Sequence, residues 1–293
     1  MKYAVVHETL YTYESPVVLS QQLLHLTPRA LDFQSMVEHR IEVEPAPAEN
    51  GTRVDYFGNP VTQIMLAAPH NSLTVRAVSS IEVSVRAAPP ATAPWEQVRD
   101  RLRGGGGEAL LEPMQFLFES PHIEFFRDLA AYAEQSFGKG RDLLDAALDL
   151  TRRIHADFKF DPKATSVSTP LREVLAKRRG VCQDFAHFMI GCLRSLGLPA
   201  RYVSGYILTA PPPGKPRLIG ADASHAWVSV WSGSGGPAAW IDLDPTNNML
   251  VGEQHITLAW GRDFSDVTPM RGVILGGGEQ ELAVRVTVTP LAA

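Results

Sequence analysis

Cysteine, histidine and aspartate occur in this chain in an order and a setting that suit nucleophilic catalysis. Cys182 follows Arg178-Arg179-Gly180-Val181 and precedes Gln183-Asp184-Phe185-Ala186-His187. A glycine, one spacer and a cysteine ahead of an apolar-striped segment read as a loop delivering a thiol to the start of a helix. Further on stand Ser224-His225-Ala226-Trp227-Val228 and Trp240-Ile241-Asp242-Leu243-Asp244-Pro245-Thr246. A thiol nucleophile needs a base, and the base needs a carboxylate to orient it. A free cysteine titrates near ~8.5, so little of it is thiolate at neutral pH. A helix N-terminus offers unpaired N–H groups and partial positive charge, which favour the anion, and a protonated histidine adds to that. The backbone N–H groups around Cys182 are also candidate donors to an oxyanion.

Cys192 is the internal control. It follows Gly191 ten residues on, about 280° round a helix from Cys182, with no polar neighbour and no capping position, so it reads as core. His225 stands at the entrance of an alternating segment, and Asp244 follows it by 19 residues. Two antiparallel strands joined by a glycine-rich loop over Ser232–Gly236 would bring them together. There Asp244 would fix the imidazole tautomer and stabilise the imidazolium. Asp242 competes, because residues two apart share a strand face, and periodicity leaves both open. The position of Asp244 at a strand end, before Pro245-Thr246, inclines the reading toward it. Gln183, Asp184 and His187 are candidates for the oxyanion site or the surroundings of the thiol. His187 lies about 140° round the helix, off the face of the cysteine. Trp227 and Trp240 are candidate walls of a substrate slot, or core. Arg262 and Asp263 read as a local ion pair or turn.

The elements that must position these residues follow from periodicity. Residues 1–88 carry short alternating runs, among them Glu8–Glu14, Arg40–Glu44, Ser72–Val78 and Ile81–Val85, with a hairpin signal at Gly58-Asn59. They read as an antiparallel β-sandwich domain. Pro89, Pro90, Pro94 and the glycines Gly104–Gly107 mark residues 89–119 as linker or surface loop. From Ser120-Pro121, a possible helix start, the period becomes helical. Leu143, Leu144, Ala147, Leu148, Thr151 and Ile154 share a face, and Leu171–Leu175 is a second short helix. After Cys182 the apolar stripe runs through Phe185, Ala186, Met189, Leu193 and Leu196, and Gly197-Leu198-Pro199 ends it. Alternation then returns over Ala200–Tyr206, Ala226–Trp231, Ala239–Asp242 and Glu281–Thr289. Residues 120–293 therefore read as an α+β domain with the thiol on a helix and its partners on an antiparallel sheet.

Composition narrows the function. A net charge of −5 gives no bulk attraction to nucleic acid or to an anionic membrane. No run approaches the ~18 apolar residues that span a bilayer. The N-terminal Met1–Glu8 turns polar too early for a signal peptide, and two isolated thiols suit a reducing compartment, so the expected location is cytoplasmic. On one helix Cys182 and Cys192 would be about 15 Å apart, beyond disulfide reach. The absence of a CxxC pair argues against structural zinc, and neither metal nor cofactor is expected.

Taken together, Phe160-Asp161-Pro162, Gly180–His187, Gly197–Tyr206, His225-Ala226-Trp227, Asp244-Pro245-Thr246-Asn247 and Gly261-Arg262-Asp263 resemble the transglutaminase-like superfamily. His7-Glu8-Thr9, Tyr11, Tyr13, Leu26-Thr27-Pro28-Arg29, Gln34 and Asp55–Asn59 resemble the N-terminal domain of its bacterial members. The resemblance implies a papain/transglutaminase-like core, with the nucleophile helix packed on an antiparallel sheet. It also implies a triad of Cys182, His225 and Asp244, and selects Asp244 as the residue before Pro-Thr. Acyl transfer through a thioester on a peptide or protein substrate follows, ending in hydrolysis or in transfer to an amine. The chain lacks the acidic loop that animal members use for calcium, so no calcium requirement is expected. The rival expectations are a non-catalytic peptide-binding scaffold and an acyltransferase using a small thioester donor.

Overall fold

A computed structural model describes residues 1–87, 89, 91–104, 107–209, 224–235 and 239–291. The glycine-rich loop expected over Ser232–Gly236 is thus described only to Gly235, and Gly105 and Gly106 of the glycine run lie outside the described residues.

The first sheet is built on β1 (Lys2–Leu24), β2 (Gln34–Glu44), β3 (Glu49–Val54), β4 (Pro60–Leu66) and β5 (His70–Val83). Its strand order is β2-β5-β1-β4-β3, and every pairing is antiparallel. The long β1 serves both halves: residues 2–12 pair mainly with β5, residues 20–24 with β4. The sheet folds back on itself there. Leu24, Ile64 and Leu66 of one half meet Leu73, Val75 and Ala77 of the other in one core. The Gly58-Asn59 hairpin forms as expected. Gly58 takes φ +77°, and Asp55 Oδ1 accepts from the N–H groups of Phe57 and Asn59, both at 2.8 Å.

Two expectations about domain limits change. The segment read as linker carries α1 (Trp95–Arg103) and the single turn α2 (Leu111–Met114). Val98 and Leu102, one turn apart, enter the main core. Pro94 and Gly104 bracket α1 as its caps, so the residues that suggested a linker mark the helix ends. The C-terminal strands β13 (Met270–Gly276) and β14 (Gln280–Leu291) pair with β1, not with the catalytic sheet, so residues 270–291 complete the first sheet. Alternation identifies a strand but not its partner, and the chain returns to its own beginning.

The core contains α3 (Arg127–Glu134), α4 (Leu143–Asp157), β6 (Lys159–Phe160), α5 (Leu171–Lys177), β7 (Arg179–Gly180) and α6 (Cys182–Ser195). Ser120 does not start a helix; it bridges to Ile123, and α3 begins at Arg127. The strands β8 (Ala200–Ile207), β9 (Ser224–Trp231), β10 (Trp240–Asp244), β11 (Met249–Leu250) and β12 (His255–Gly261) form an antiparallel sheet in the order β11-β10-β9-β8-β12. The helix α6 packs on one face, among Ala200, Tyr202, Ala226 and Val228. The opposite face carries Val203, Trp227, Val251 and Trp260, which form a cluster of their own.

The N-terminal domain meets the edge strand β12. The Gln34 carboxamide donates to Thr257 C=O and accepts from Thr257 N–H, each at 2.8 Å. Asn59 does the same at Trp260, accepting at 2.9 Å and donating at 2.8 Å. Two side-chain amides thus stand where another strand's backbone would pair, which removes an open edge. Arg29 lies 3.4 Å over the Trp260 ring, and Arg201 stacks on both Trp260 and Trp240, at 3.9 and 4.2 Å. Such desolvated cation–π contacts are worth about 2 kcal/mol each.

Candidate active site

Cys182 is the first residue of α6, and the loop before it is fixed from inside the helix. Val181, the N-cap, has no side-chain oxygen to cap with. Asp184 reaches back instead: its Oδ2 accepts from Val181 N–H at 2.8 Å and from Thr165 Oγ1 at 2.6 Å. Burial raises the Asp184 pKa, against the pull of those two donors. A side chain at Gly180 would put its Cβ 2.8 Å from Asp184 Cβ, so only glycine fits there. Asp184 therefore acts on the loop that carries the thiol. The first intrahelical bond runs from Phe185 N–H to Val181 C=O, so the N–H groups of Cys182 and Gln183 belong to the unpaired first turn. The Gln183 side chain turns to Val167 C=O at 3.3 Å, which leaves its backbone as the oxyanion candidate.

His225 begins the buried part of β9, and its Nε2 lies 2.7 Å from Asp244 Oδ2. Burial would lower its pKa. Hydrogen bonds to Asp244 and Cys182, together with their negative charges, more than reverse this and raise it to about 10. The ring is therefore an imidazolium at neutral pH. With Nε2 engaged, Nδ1 is the nitrogen left for the thiol. Asp244 closes β10, and the turn after it folds back on the carboxylate. Oδ1 accepts from the N–H groups of Thr246 and Asn247 at 2.9 and 3.1 Å. Burial would raise the Asp244 pKa, but hydrogen bonds from His225, His255 and Asn247 hold it far below the carboxylate range. Asp242 is engaged elsewhere, 2.5 Å from the Arg86 guanidinium. The carboxylate beside His225 is therefore that of Asp244 and not that of Asp242.

Two neighbours of Asp244 were not singled out from the sequence. Asn247 Nδ2 donates to Oδ2 at 2.7 Å. His255 Nε2 lies 3.1 Å from the same oxygen. An Asp-Pro-Thr-Asn turn was a signal for the first; a lone histidine at a strand start gave none for the second. His225, Asp244 and His255 offer three metal-ligating atoms within 4.8 Å of one another. Their spacings are accounted for as proton-sharing hydrogen bonds, which a cation would have to break.

The remaining candidates lie away from the thiol. His187 is buried against His122, Tyr202 and Phe264. Its Nε2 accepts from Phe264 N–H at 3.1 Å, and burial lowers its pKa to about 3. The sequence offered it as part of the surroundings of the thiol; it is buried among these rings. Trp227 is fully buried, with its ring pressed on Gly205, where a Cβ would come within 2.5 Å of Cη2. It supports the sheet from beneath and walls no slot. Trp240 lines a cavity of about 780 Å³ with Phe33, Arg86 and Asp242, and none of Cys182, His225 and Asp244 borders it. Arg262 pairs with Asp266, not with Asp263. Asp263 instead accepts from the His122 N–H and from Ser265. Cys192 is buried and free, and burial drives its pKa well up.

A helix that begins at Cys182, packed on an antiparallel sheet that carries His225 and Asp244, defines a papain-like fold. Residues 3–82 match the bacterial transglutaminase-like N-terminal region, and residues 130–245 match the transglutaminase-like superfamily. An uncharacterized protein of Mycobacterium tuberculosis is 41% identical over 296 residues, covering 99% of this chain and 93% of its own. The crystal structure of a candidate cysteine protease from Cytophaga hutchinsonii has the same fold. Its TM-score is 0.76 at 20% identity, over 100% of this chain and 91% of that one. A protein-glutamine gamma-glutamyltransferase of Pseudomonas aeruginosa is 31% identical over 121 residues, 41% of this chain and 18% of its own. The chain belongs to the transglutaminase-like superfamily, and it carries the N-terminal region found in bacterial members.

Proposed function

We propose that this protein is a cysteine enzyme that transfers acyl groups from peptide or protein amides through a thioester. The observation that carries the reading is His225: a buried imidazole 2.7 Å from Asp244 Oδ2, whose pKa is raised by Asp244 and by the neighbouring Cys182. The protonated ring stabilises a thiolate beside it. The thiolate attacks the amide carbonyl, and the oxyanion is met by N–H groups of the first turn of α6. The His225 imidazolium gives its proton to the leaving amine as the C–N bond breaks. The neutral ring then takes a proton from water or from an acceptor amine, which attacks the thioester and expels the thiolate. Water gives a peptidase or amidase, and an amine gives a transglutaminase. Exclusion of water from the cleft decides between them.

The test is the rate of iodoacetamide labelling at Cys182 against pH, with the adduct located by mass spectrometry and His225→Ala as comparison. Labelling that stays fast well below the ~8.5 of an ordinary thiol, and slows in the variant, is expected. Peptide and primary-amine libraries then separate hydrolysis from transfer. Labelling that follows an ordinary thiol, or strikes Cys192 equally, sinks the enzyme reading and favours a binding scaffold.

A further inference from the structure

The acid of the triad is held by more donors than a triad needs. Three side chains converge on Asp244 Oδ2: His225 at 2.7 Å, Asn247 at 2.7 Å and His255 at 3.1 Å. Two backbone N–H groups occupy Oδ1. An ionised carboxylate offers about four lone-pair sites, so five donors saturate it and stop it turning. Asn247 and the two N–H groups come from the turn after Asp244 itself. Among the described residues, His255 is the one donor besides His225 that comes from outside this turn.

Its geometry fixes its tautomer. His255 Nδ1 accepts from Gly252 N–H at 3.4 Å, so the ring proton sits on Nε2 and points at Asp244. The ring is fully buried, which favours the neutral form, and Asp244 is the acidic group facing it. The cationic His225 ring, 6.0 Å away, and Arg86 both oppose a second positive charge. His255 reaches across the sheet because β8, lying between β9 and β12, carries Gly205 opposite His225. The Trp227 ring fills the space over that glycine and meets His255 edge-on at 5.3 Å.

The strand that bears His255 is the one gripped by the N-terminal domain. Gln34 holds Thr257, two residues on, and Tyr3 Oη donates to Glu253 C=O, two residues before, at 3.0 Å. We infer that His255 is a positioning residue: a neutral second histidine that fixes the Asp244 carboxylate toward His225, and that the N-terminal domain keeps in place through β12. The inference rests on the triad reading above and gives the N-terminal domain a part in it.

The test compares His255→Leu, which deletes the donor, with His255→Gln, whose amide nitrogen can stand in for Nε2. Two readouts are followed in each: the pH profile of Cys182 alkylation, and the low-field NMR signal of the proton shared by His225 and Asp244. In the leucine variant alkylation at neutral pH falls about tenfold or more, as for lost support of a ligand or base, and the shared-proton signal broadens or vanishes. Glutamine restores much of both. A leucine variant with wild-type alkylation and an intact signal overturns the inference. Nitrogen-15 NMR of His255 in the unaltered protein decides the matter even where the leucine variant does not fold. A neutral ring protonated on Nε2 is expected, and an Nδ1-protonated or doubly protonated ring overturns the inference. Failure of the enzyme reading shows separately, as wild-type labelling that ignores His225→Ala.

Discussion

Asp244→Asn is the sharpest single perturbation of this site, because every group around the carboxylate is a donor. Three side-chain donors face Oδ2 and two backbone donors face Oδ1. An amide can accept at one end only. If its oxygen faces the side chains, its NH₂ meets the N–H groups of Thr246 and Asn247 and leaves both without an acceptor. If it is turned over, the NH₂ meets His225. An orphaned buried donor costs about 1–3 kcal/mol. Thr246 is partly buried and Asn247 is exposed, so about 1 kcal/mol in total is the expected loss of stability. The effect on the thiol is larger. Burial pushes the His225 pKa down, and Asp244 is the first of the groups that hold it up at about 10. Without the carboxylate only Cys182 is left to hold it up, so the pKa falls well below about 10 and the imidazolium is lost at a lower pH. In a serine protease triad the equivalent change costs about 10⁴ in kcat, and a loss of about 10²–10⁴ is expected here. Urea denaturation gives the first quantity, and alkylation rate against pH gives the second. An asparagine variant that unfolds within about 0.5 kcal/mol of wild type and keeps the same alkylation profile refutes the five-donor argument.

Asp242→Asn leaves the alkylation profile unchanged, because that carboxylate serves Arg86. It lowers stability by about 1–3 kcal/mol through the half-buried guanidinium it abandons, as denaturation would show. Gly180→Ala drives a methyl group into Asp184, and a loss of about 1–3 kcal/mol with slower labelling of Cys182 is expected. Stability also varies with pH in a defined direction. His225, raised from 6.5 to about 10, contributes fully below pH 6.5, and its contribution fades as pH rises toward 10. Asp244, lowered from 3.8, contributes above pH 3.8 and is lost as pH falls below it. Buried His187 and His7, lowered to about 3 and about 4, add stability as pH rises toward 6.5, so urea midpoints should peak near about pH 6.5, and a peak at pH 9 would contradict the His225 assignment.

The sequence made the thiol, its helix and its histidine legible because each sits in a local pattern. A glycine before Cys182, a stripe after it and an alternating strand around His225 are visible within ten residues. Periodicity does not separate Asp242 from Asp244, and the local signal is the Pro-Thr that follows Asp244; the Arg86 that engages Asp242 lies 156 positions away, which no period reveals. His255 stayed hidden for the same reason, since its partner is set by sheet order. The strands 270–291 alternate as cleanly as any, yet alternation carries no information about which sheet they join. The helix α1 is masked in the sequence because its bracketing proline and glycine are also linker residues, while its buried stripe is the single pair Val98 and Leu102.

The amide grip on β12 has a consequence for how this molecule can be divided. Gln34 and Asn59 imitate a neighbouring strand without offering an onward edge, so they end the sheet as bookends do. Only a carboxamide can do this, since it alone among side chains presents a donor and an acceptor side by side, like a peptide group. A fragment beginning at residue 120 would leave four backbone groups of Thr257 and Trp260 bare, on a strand flanked by apolar residues. Such an edge invites pairing with other copies. The first half thus closes an edge of the second against pairing with other copies.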